Sequence, residues 1–318
     1  MTFSDASSIS RESNNPGAPD VSVIICTLNR CELLQRTLEL LGKQPLPPGK
    51  RFEIIVVDNN STDATSQVVQ QAKRIVTVPI IYLLEERAGL SWARNSGVAR
   101  SRSDIIVFTD DDMIFSETWL LEIYSLFSVK PTPACVTGPV EVHKDSHPSL
   151  QPSIVHGRRR HRYPSEPWDA GRGNNMSFRR RFLDRAGPFD TRLGAGSPAG
   201  SGEDTDMLYR ILKCGGEVVF DPEVSVYHDH CRHNSQEIES IVKNYAIGGT
   251  AFLIKHIVRF DLFALKLLYW RYLSFRRGVK QAGANDSYSP PINAIQRIYF
   301  RGYFQGLLRG VLKLFKRS

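Results

Sequence analysis

"FTDDDM", Phe108 to Met113, sets three aspartates in a row behind the apolar run "DIIVF". Adjacent carboxylates repel one another unless positive charge lies among them. A solvated turn would tolerate the repulsion, and a bound cation would remove it. Carboxylate oxygens suit Mg2+ or Mn2+, ions that bind few protein carboxylates and use substrate phosphates for the rest. One short acidic step cannot build an all-protein cage, but it can bridge a diphosphate. Two further stretches carry chemistry of the same kind. Asp58 ends the run "EIIVVD" and could accept hydrogen bonds from a base or ribose. Arg94 and Asn95 lie in "GLSWARNSGVARS" and could reach phosphates, although a helix arginine is also an ordinary solvated charge.

Such residues are useful only if a scaffold gathers them. "VSVIIC" (21–26), "EIIVVD" (53–58), "IIYLL" (80–84) and "DIIVFT" (104–109) read as buried strands. Between them "RCELLQRTLELLG", "STDATSQVVQQAKR" and "GLSWARNSGVARS" read as helices. The alternation predicts an α/β fold with a mostly parallel central sheet and helices on both faces. In open sheets of this kind, ligands bind beyond the carboxyl ends of the strands. "CTLNR", "DNNSTD" and "DDD" all fall there, so the pattern predicts one composite site. No G-x-G-x-x-G and no Walker loop follows the first strand, so those two nucleotide cradles are excluded. A sugar nucleotidylyltransferase would carry a Gly-rich, Arg- and Pro-containing turn where "CTLNRC" stands.

The second half is less regular. Residues 143–170 read as a long Pro-, Arg- and His-rich loop. Within it "HGRRRHRY" (156–163) could face an acceptor, neutralise phosphates or simply be solvated. "GNNMSFRR" reads as a strand, "RRFLDRAG" and "EDTDMLYRILKCGG" as helices, "EVVFDP" and "VSVYHDH" as strands.

Six of these elements, in this order, resemble the family 2 glycosyltransferases and their GT-A nucleotide-diphospho-sugar fold. They are "VSVIICTLNR", "IIVVDNNSTD", "GLSWARNSGVARSRSDIIVFTDDDM", "GNNMSFRR", "GEDTDM" and "VYHDH", and they cover about residues 20–230. The resemblance implies that Thr27, Leu28, Asn29, Arg30, Asp58 and Asn60 line the base and ribose. It puts Arg94 and Asn95 beside the nucleotide. Asp110, Asp111 and Asp112 become a DxD-type motif at the diphosphate, with Asp112 and Asp110 as metal ligands and His228 as a further ligand. Gly173, Asn174 and Asn175 are implied on the sugar and acceptor side. Asp204 matches the position of the general base, with Glu203 as its alternative; acidic residues in a first helical turn are also favoured for capping alone. Asp206, two residues on, would point elsewhere on the helix. The implied activity is transfer of a sugar, with inversion, from a UDP-, GDP- or dTDP-sugar to a saccharide or lipid-linked acceptor, assisted by a divalent metal. An inactive partner subunit on the same fold is the other alternative. "HDHCRH" (228–233) lacks the second Cys/His pair of a zinc site.

The chain has 318 residues and a formal charge of +8. From Thr250 to Ser318 there are thirteen Lys and Arg against two Asp, which is +11 and leaves −3 for the rest. A basic end rich in Leu, Phe and Tyr points to an anionic membrane surface rather than to nucleic acid. "AFLIKHIVRFDLFALKLLYW" is too charged for a typical spanning helix. "INAIQRIYFRGYFQGLLRGVLKLFKRS" (292–318) has the spacing of a basic amphipathic helix, for which membrane contact and packing on the catalytic domain are the two readings. The five scattered cysteines predict a reducing cytoplasmic compartment, with the protein peripheral on the inner face of the membrane. The expected division is a disordered tail (1–19), a GT-A catalytic domain (20–233, with halves 20–112 and 113–233) and a helical basic region (234–318).

Overall fold

The computed structural model describes residues 17–142, 157–229 and 235–281, together with 305 and 308. The amphipathic segment 292–318 therefore lies almost wholly outside the described residues, as do 1–16.

Four parallel strands form one half of the main sheet: β1 (Val21–Thr27), β2 (Phe52–Asp58), β3 (Ile80–Leu84) and β4 (Ile105–Thr109). Further along the chain come β5 (Met113–Phe115), β6 (Cys135–Thr137), β7 (Val140–Val142), β8 (Arg159–His161), β9 (Asn175–Arg179), β10 (Val218–Phe220) and β11 (Val226–His228). The eight-stranded sheet runs β3-β2-β1-β4-β9-β6-β10-β8, and β5-β11-β7 make a small second sheet. β9 is antiparallel to both β4 and β6, so it reverses direction at the centre and carries residues 173–175 to the carboxyl end of β4.

The alternation of side chains along a strand decides which helix covers which face. Val23, Ile25, Ile54, Val56 and Val107 point to one side. There they meet α1 (Cys31–Leu41), α2 (Thr65–Ile75) and α4 (Trp119–Ser128), through Leu34, Leu38, Val69, Trp119 and Ile123. Ile24, Ile55, Val57, Ile106 and Phe108 point to the other side. That face is covered by α3 (Leu90–Arg100), α5 (Arg180–Ala186) and α6 (Glu203–Lys213), through Ala93, Leu183, Met207, Leu208 and Ile211. A Cβ on Gly97 would lie 2.6 Å from Ile24 Cγ2, so glycine lets α3 settle directly on the sheet.

The "RRRHR" stretch, read from sequence as part of a loop, instead supplies edge strand β8, antiparallel to β10. Its arginines are largely committed to neighbours: Arg158 pairs with Asp221, and Arg160 and Arg162 both pair with Glu217. Backbone pairing with an existing edge, not local propensity, makes this strand.

Two helices follow, α7 (Ser235–Ile257) and α8 (Leu262–Gln281). α7 docks on α6 through a buried ionic cluster. Asp206, fully buried, accepts hydrogen bonds from Lys255 Nζ (2.8 Å), His256 Nε2 (2.9 Å) and Arg210 Nε (2.9 Å). Burial pushes the Asp206 carboxyl up, but the His256 hydrogen bond and the charges of Arg210 and Lys255 outweigh it and hold the pKa at about 2. The contact is also tight at the backbone. A Cβ on Gly248 would lie 2.2 Å from Ser201 O, and Ser201 Oγ donates to Asn244 O at 2.8 Å. Among the described residues no helix is long and apolar enough to cross a membrane.

Asp206 binds its proton less readily in the folded chain than at its ordinary value of 3.8. Its stabilising contribution is therefore present above pH 3.8 and is lost as pH falls through about 2. Asp206→Asn takes the buried counter-charge from Arg210 and one of the two carboxylates from Lys255, which keeps Asp190, and stability measured by denaturant at neutral pH should fall by about 3 kcal/mol. The variant should also show less acid sensitivity than the parent in that window. Equal stability of the two proteins at neutral pH would rule out this anchoring role.

Candidate active site

The carboxyl ends of β1, β2 and β4 and the start of α6 converge, and the acidic turn after β4 lies among them. Its three carboxylates take different positions. Asp111 is turned inward: Thr27 Oγ1 donates to its Oδ2 at 2.7 Å, and Arg30 Nη1 lies 3.1 Å from its Oδ1. Asp112 is almost fully buried and receives the same Arg30 nitrogen at 3.1 Å on Oδ2. His228 Nδ1 lies 3.4 Å from Asp112 Oδ1. Asp110 is half-buried. The positive charge that three adjacent carboxylates require thus comes from Arg30. Burial pushes the Asp111 carboxyl up to about 6, against the opposing charge of Arg30 and the Thr27 hydrogen bond. Burial and then the Asp112 charge raise Asp110 as well.

The α6 turn sits on the other side of one dipeptide. Gly173 N donates to Asp204 Oδ2 at 2.8 Å, and Asn174 Nδ2 lies 2.9 Å from His228 Nε2. Gly173-Asn174 therefore ties the α6 carboxylate to the His228–Asp112 pair. A Cβ on Gly173 would come within 3.0 Å of both Arg94 and Asp204, which leaves glycine as the residue that fits. Asn174 Oδ1 is buried without a hydrogen-bond partner.

Glu203 and Asp204 are adjacent but differently placed. Glu203 is buried and pairs with Arg94 Nη1 at 2.8 Å. Burial, then the Asp204 charge, raises its carboxyl to about 7 against the pull of Arg94. Asp204 is half-buried, and its second oxygen accepts from Thr205 N at 2.6 Å. Both Asp204 oxygens are thus oriented by N–H donors while the group keeps access to the cleft. A carboxylate has about four acceptor sites, so these bonds leave capacity for another hydroxyl.

Several residues expected to touch ligand are drawn inside. Arg94 is buried, donates to Gly173 O at 3.1 Å, and lies 5.8 and 5.5 Å from the Phe108 and Phe189 rings. Asn95 exchanges hydrogen bonds with Phe189, Nδ2 to O at 2.9 Å and N to Oδ1 at 2.8 Å. Asn175, expected on the acceptor side, is fully buried. It accepts from Trp119 Nε1 at 3.0 Å and donates to Pro139 O and Val224 O, which places it in the frame beneath the site. Asp58 is buried, with Ser61 N on Oδ1 and Tyr82 OH on Oδ2, both at 2.8 Å. Leu28, Asn29 and Asn60 form an exposed rim; Asn29 Oδ1 accepts from Thr62 N at 2.7 Å and so ties the β1 and β2 loops together. The sequence reading passed over Asn59, which donates to the carbonyls of Glu85 and Arg87 and accepts from Gly89 N. Its polar side chain directly after a buried strand was the available signal.

Asp112 and His228, 3.4 Å apart, are the pair here that could contribute ligands to a divalent cation. Asp112 faces the Arg30 guanidinium on one oxygen and the His228 imidazole on the other. Among the described residues no three His, Cys, Asp or Glu side chains are gathered so that they could hold a metal ion by themselves.

Comparisons with known proteins place the chain in a family. The model of Glycosyl transferase family 2 matches residues 22–187. The chain is 28% identical over 241 residues to the succinoglycan biosynthesis protein ExoM of Rhizobium meliloti, covering 72% of each. It is 35% identical over 102 residues to the glycosyltransferase AglE of Haloferax volcanii, covering 32% of this chain and 33% of AglE. In structure it resembles the mannosyltransferase PcManGT of Pyrobaculum calidifontis, solved with GDP-Man and Mn2+. The TM-score is 0.58 at 18% identity, over 95% of this chain and 77% of that one. Staphylococcus aureus TarS with UDP-GlcNAc gives 0.56 at 17% identity, over 72% and 66%. Both structures share the GT-A glycosyltransferase fold. With the family match spanning residues 22–187, just over half of its length, the chain belongs to glycosyl transferase family 2.

Proposed function

We propose that this glycosyltransferase takes a sugar from a nucleotide-diphospho-sugar, with UDP, GDP or dTDP as the carrier, and transfers it with inversion to a hydroxyl of a saccharide or lipid-linked acceptor. The observation that carries the reading is the Gly173-Asn174 junction, which joins the candidate base Asp204 to His228 beside Asp112. The two halves of a transfer, activating the acceptor and receiving the leaving diphosphate, meet there. That PcManGT binds GDP-Man with Mn2+ and TarS binds UDP-GlcNAc supports a nucleotide-sugar donor.

Asp112, Asp110 and His228 are the residues that would hold Mg2+ or Mn2+. Such an ion supplies Lewis-acid neutralisation of the diphosphate charge. Thr27 and Arg30 hold Asp111 in place behind them. Asp204 accepts the proton of the acceptor hydroxyl as that oxygen bonds to the anomeric carbon. The carbon–oxygen bond to the diphosphate breaks on the opposite face, and the nucleotide diphosphate leaves with the electron pair. Glu203 holds Arg94 and is a positioning residue in this scheme.

Asp112→Ala should abolish the metal-dependent rise in melting temperature given by UDP or GDP, because the bound state depends on a carboxylate–ion–phosphate bridge. An undiminished metal-dependent shift would remove Asp112 from that role.

Asp204→Asn retains an oxygen that can accept the Gly173 N–H bond, so melting and donor affinity should stay near native. Transfer to acceptor should fall by at least about a hundredfold, the lower range of general-base assistance. Glu203→Gln should instead lower the melting temperature, through loss of the Arg94 ion pair, with a smaller loss of turnover. A near-normal rate for Asp204→Asn beside a dead Glu203→Gln would reverse the two roles. Pyrophosphorolysis of the nucleotide-sugar, with labelled pyrophosphate appearing in a nucleoside triphosphate and sugar 1-phosphate released, would favour a nucleotidylyltransferase instead.

A further inference from the structure

α8 is apolar on two faces. Ala264 and Leu267 are fully buried against α6 and α7, in a cluster with Leu193, Tyr209 and Phe252. A folded helix ordinarily turns charged and polar residues to the other side. Here the outer side carries Leu262 (79% exposed), Leu265 (50%) and Tyr269 (59%) at helical spacing, with Trp270 and Tyr272 beside them. Just before the helix, Phe260 is 93% exposed. Its φ is +61°, a left-handed conformation that a bulky residue seldom adopts. The corner that presents it is nonetheless firmly held. Asp261 Oδ1 accepts from Phe263 N and Ala264 N, each at 3.1 Å, and Asp261 Oδ2 accepts from Tyr209 OH at 2.8 Å. The protein thus fixes an exposed aromatic ring at the tip of a helical hairpin, continuous with an exposed Leu/Tyr/Trp stripe.

The charge around the stripe selects its occupant. Arg259 and Lys266 are exposed within it, and Lys266 Nζ lies 4.5 Å from the Trp270 ring. Residues 282–318 carry six Lys and Arg against one Asp, +5, so that segment would bring like charge to a basic surface. A second copy of the hairpin would do the same. An anionic lipid surface complements both features: apolar and aromatic side chains enter the headgroup boundary while lysine and arginine meet lipid phosphates.

We infer that the α7–α8 corner and the outer face of α8, formed by Phe260, Leu262, Leu265, Tyr269 and Trp270 with Arg259 and Lys266, dock the protein on an anionic membrane. Among the described residues no helix is long and apolar enough to cross a membrane. Segment 292–318, with the basic amphipathic spacing noted in the sequence, carries charge of the same sign.

The test is co-sedimentation of the full chain with phosphatidylcholine vesicles, with and without phosphatidylglycerol. The parent should bind the anionic vesicles preferentially. Leu265→Glu/Tyr269→Glu should bind them at least about tenfold more weakly, because two carboxylates replace apolar contacts at the interface. Phe260→Gly separates docking from folding. Glycine adopts a positive φ without strain, so melting should be held or raised, while vesicle binding falls. Parent-like binding by both variants, or equal binding of the parent to neutral and anionic vesicles, would overturn the proposal. So would a dimer in light scattering that either variant dissociates, since the occupant would then be a second copy.

Discussion

The Arg94 guanidinium is the fixed point of the site. A buried cation is costly unless it is both paired and hydrogen-bonded, and Arg94 meets that requirement with groups from distant parts of the chain. Glu203 reaches it from the start of α6, the Gly173 carbonyl from the loop before β9, and the Phe108 and Phe189 rings flank it. One side chain on α3 therefore sets the spacing between the strand ends, the α6 turn and the loop that carries Asn174. It also decides between the two adjacent carboxylates. Glu203 is spent on Arg94, and Asp204 is left oriented by Gly173 and Thr205 at the cleft.

A second constraint comes from the C-terminal side. The family match ends at residue 187, yet α6 is held from behind by α7. Asp206 is two residues on from Asp204 and faces Lys255 and His256. The short loop before α6 presses on Gly248 at backbone distance, which keeps the α6 N-terminus from drifting. The helical hairpin is thus part of the frame of the active site as well as a surface in its own right. Its inner face answers to α6, and its outer face answers to what lies outside the protein.

Much of this was legible in the sequence for local reasons. Near-continuous apolar runs in "VSVIIC" and "EIIVVD" and the 3.6-residue spacing of Leu34, Leu38 and Leu41 identify strands and a helix without knowledge of their partners. Short elements escaped: β5, β6 and β7 are three residues each and exist because a neighbouring backbone offers hydrogen bonds. The same holds for β8, whose arginines suggest solvent until Glu217 and Asp221 are placed opposite them.

The sequence alone determined the alternating α/β order and the residue types at the strand ends, because both follow from neighbours a few positions apart. It also determined the charge imbalance of the C-terminal end. Only the tertiary structure decided what each polar side chain does. Arg94 and Glu203 are 109 residues apart, Thr27 and Asp111 84, and Asn174 and His228 54. Whether a carboxylate is paired, caged or free depends on which cations and donors folding brings within about 3 Å, and local spacing carries no information about that distance. Asn175 makes the point most directly: its neighbour Asn174 lines the site, while the next step of the strand turns Asn175 into the core beneath it.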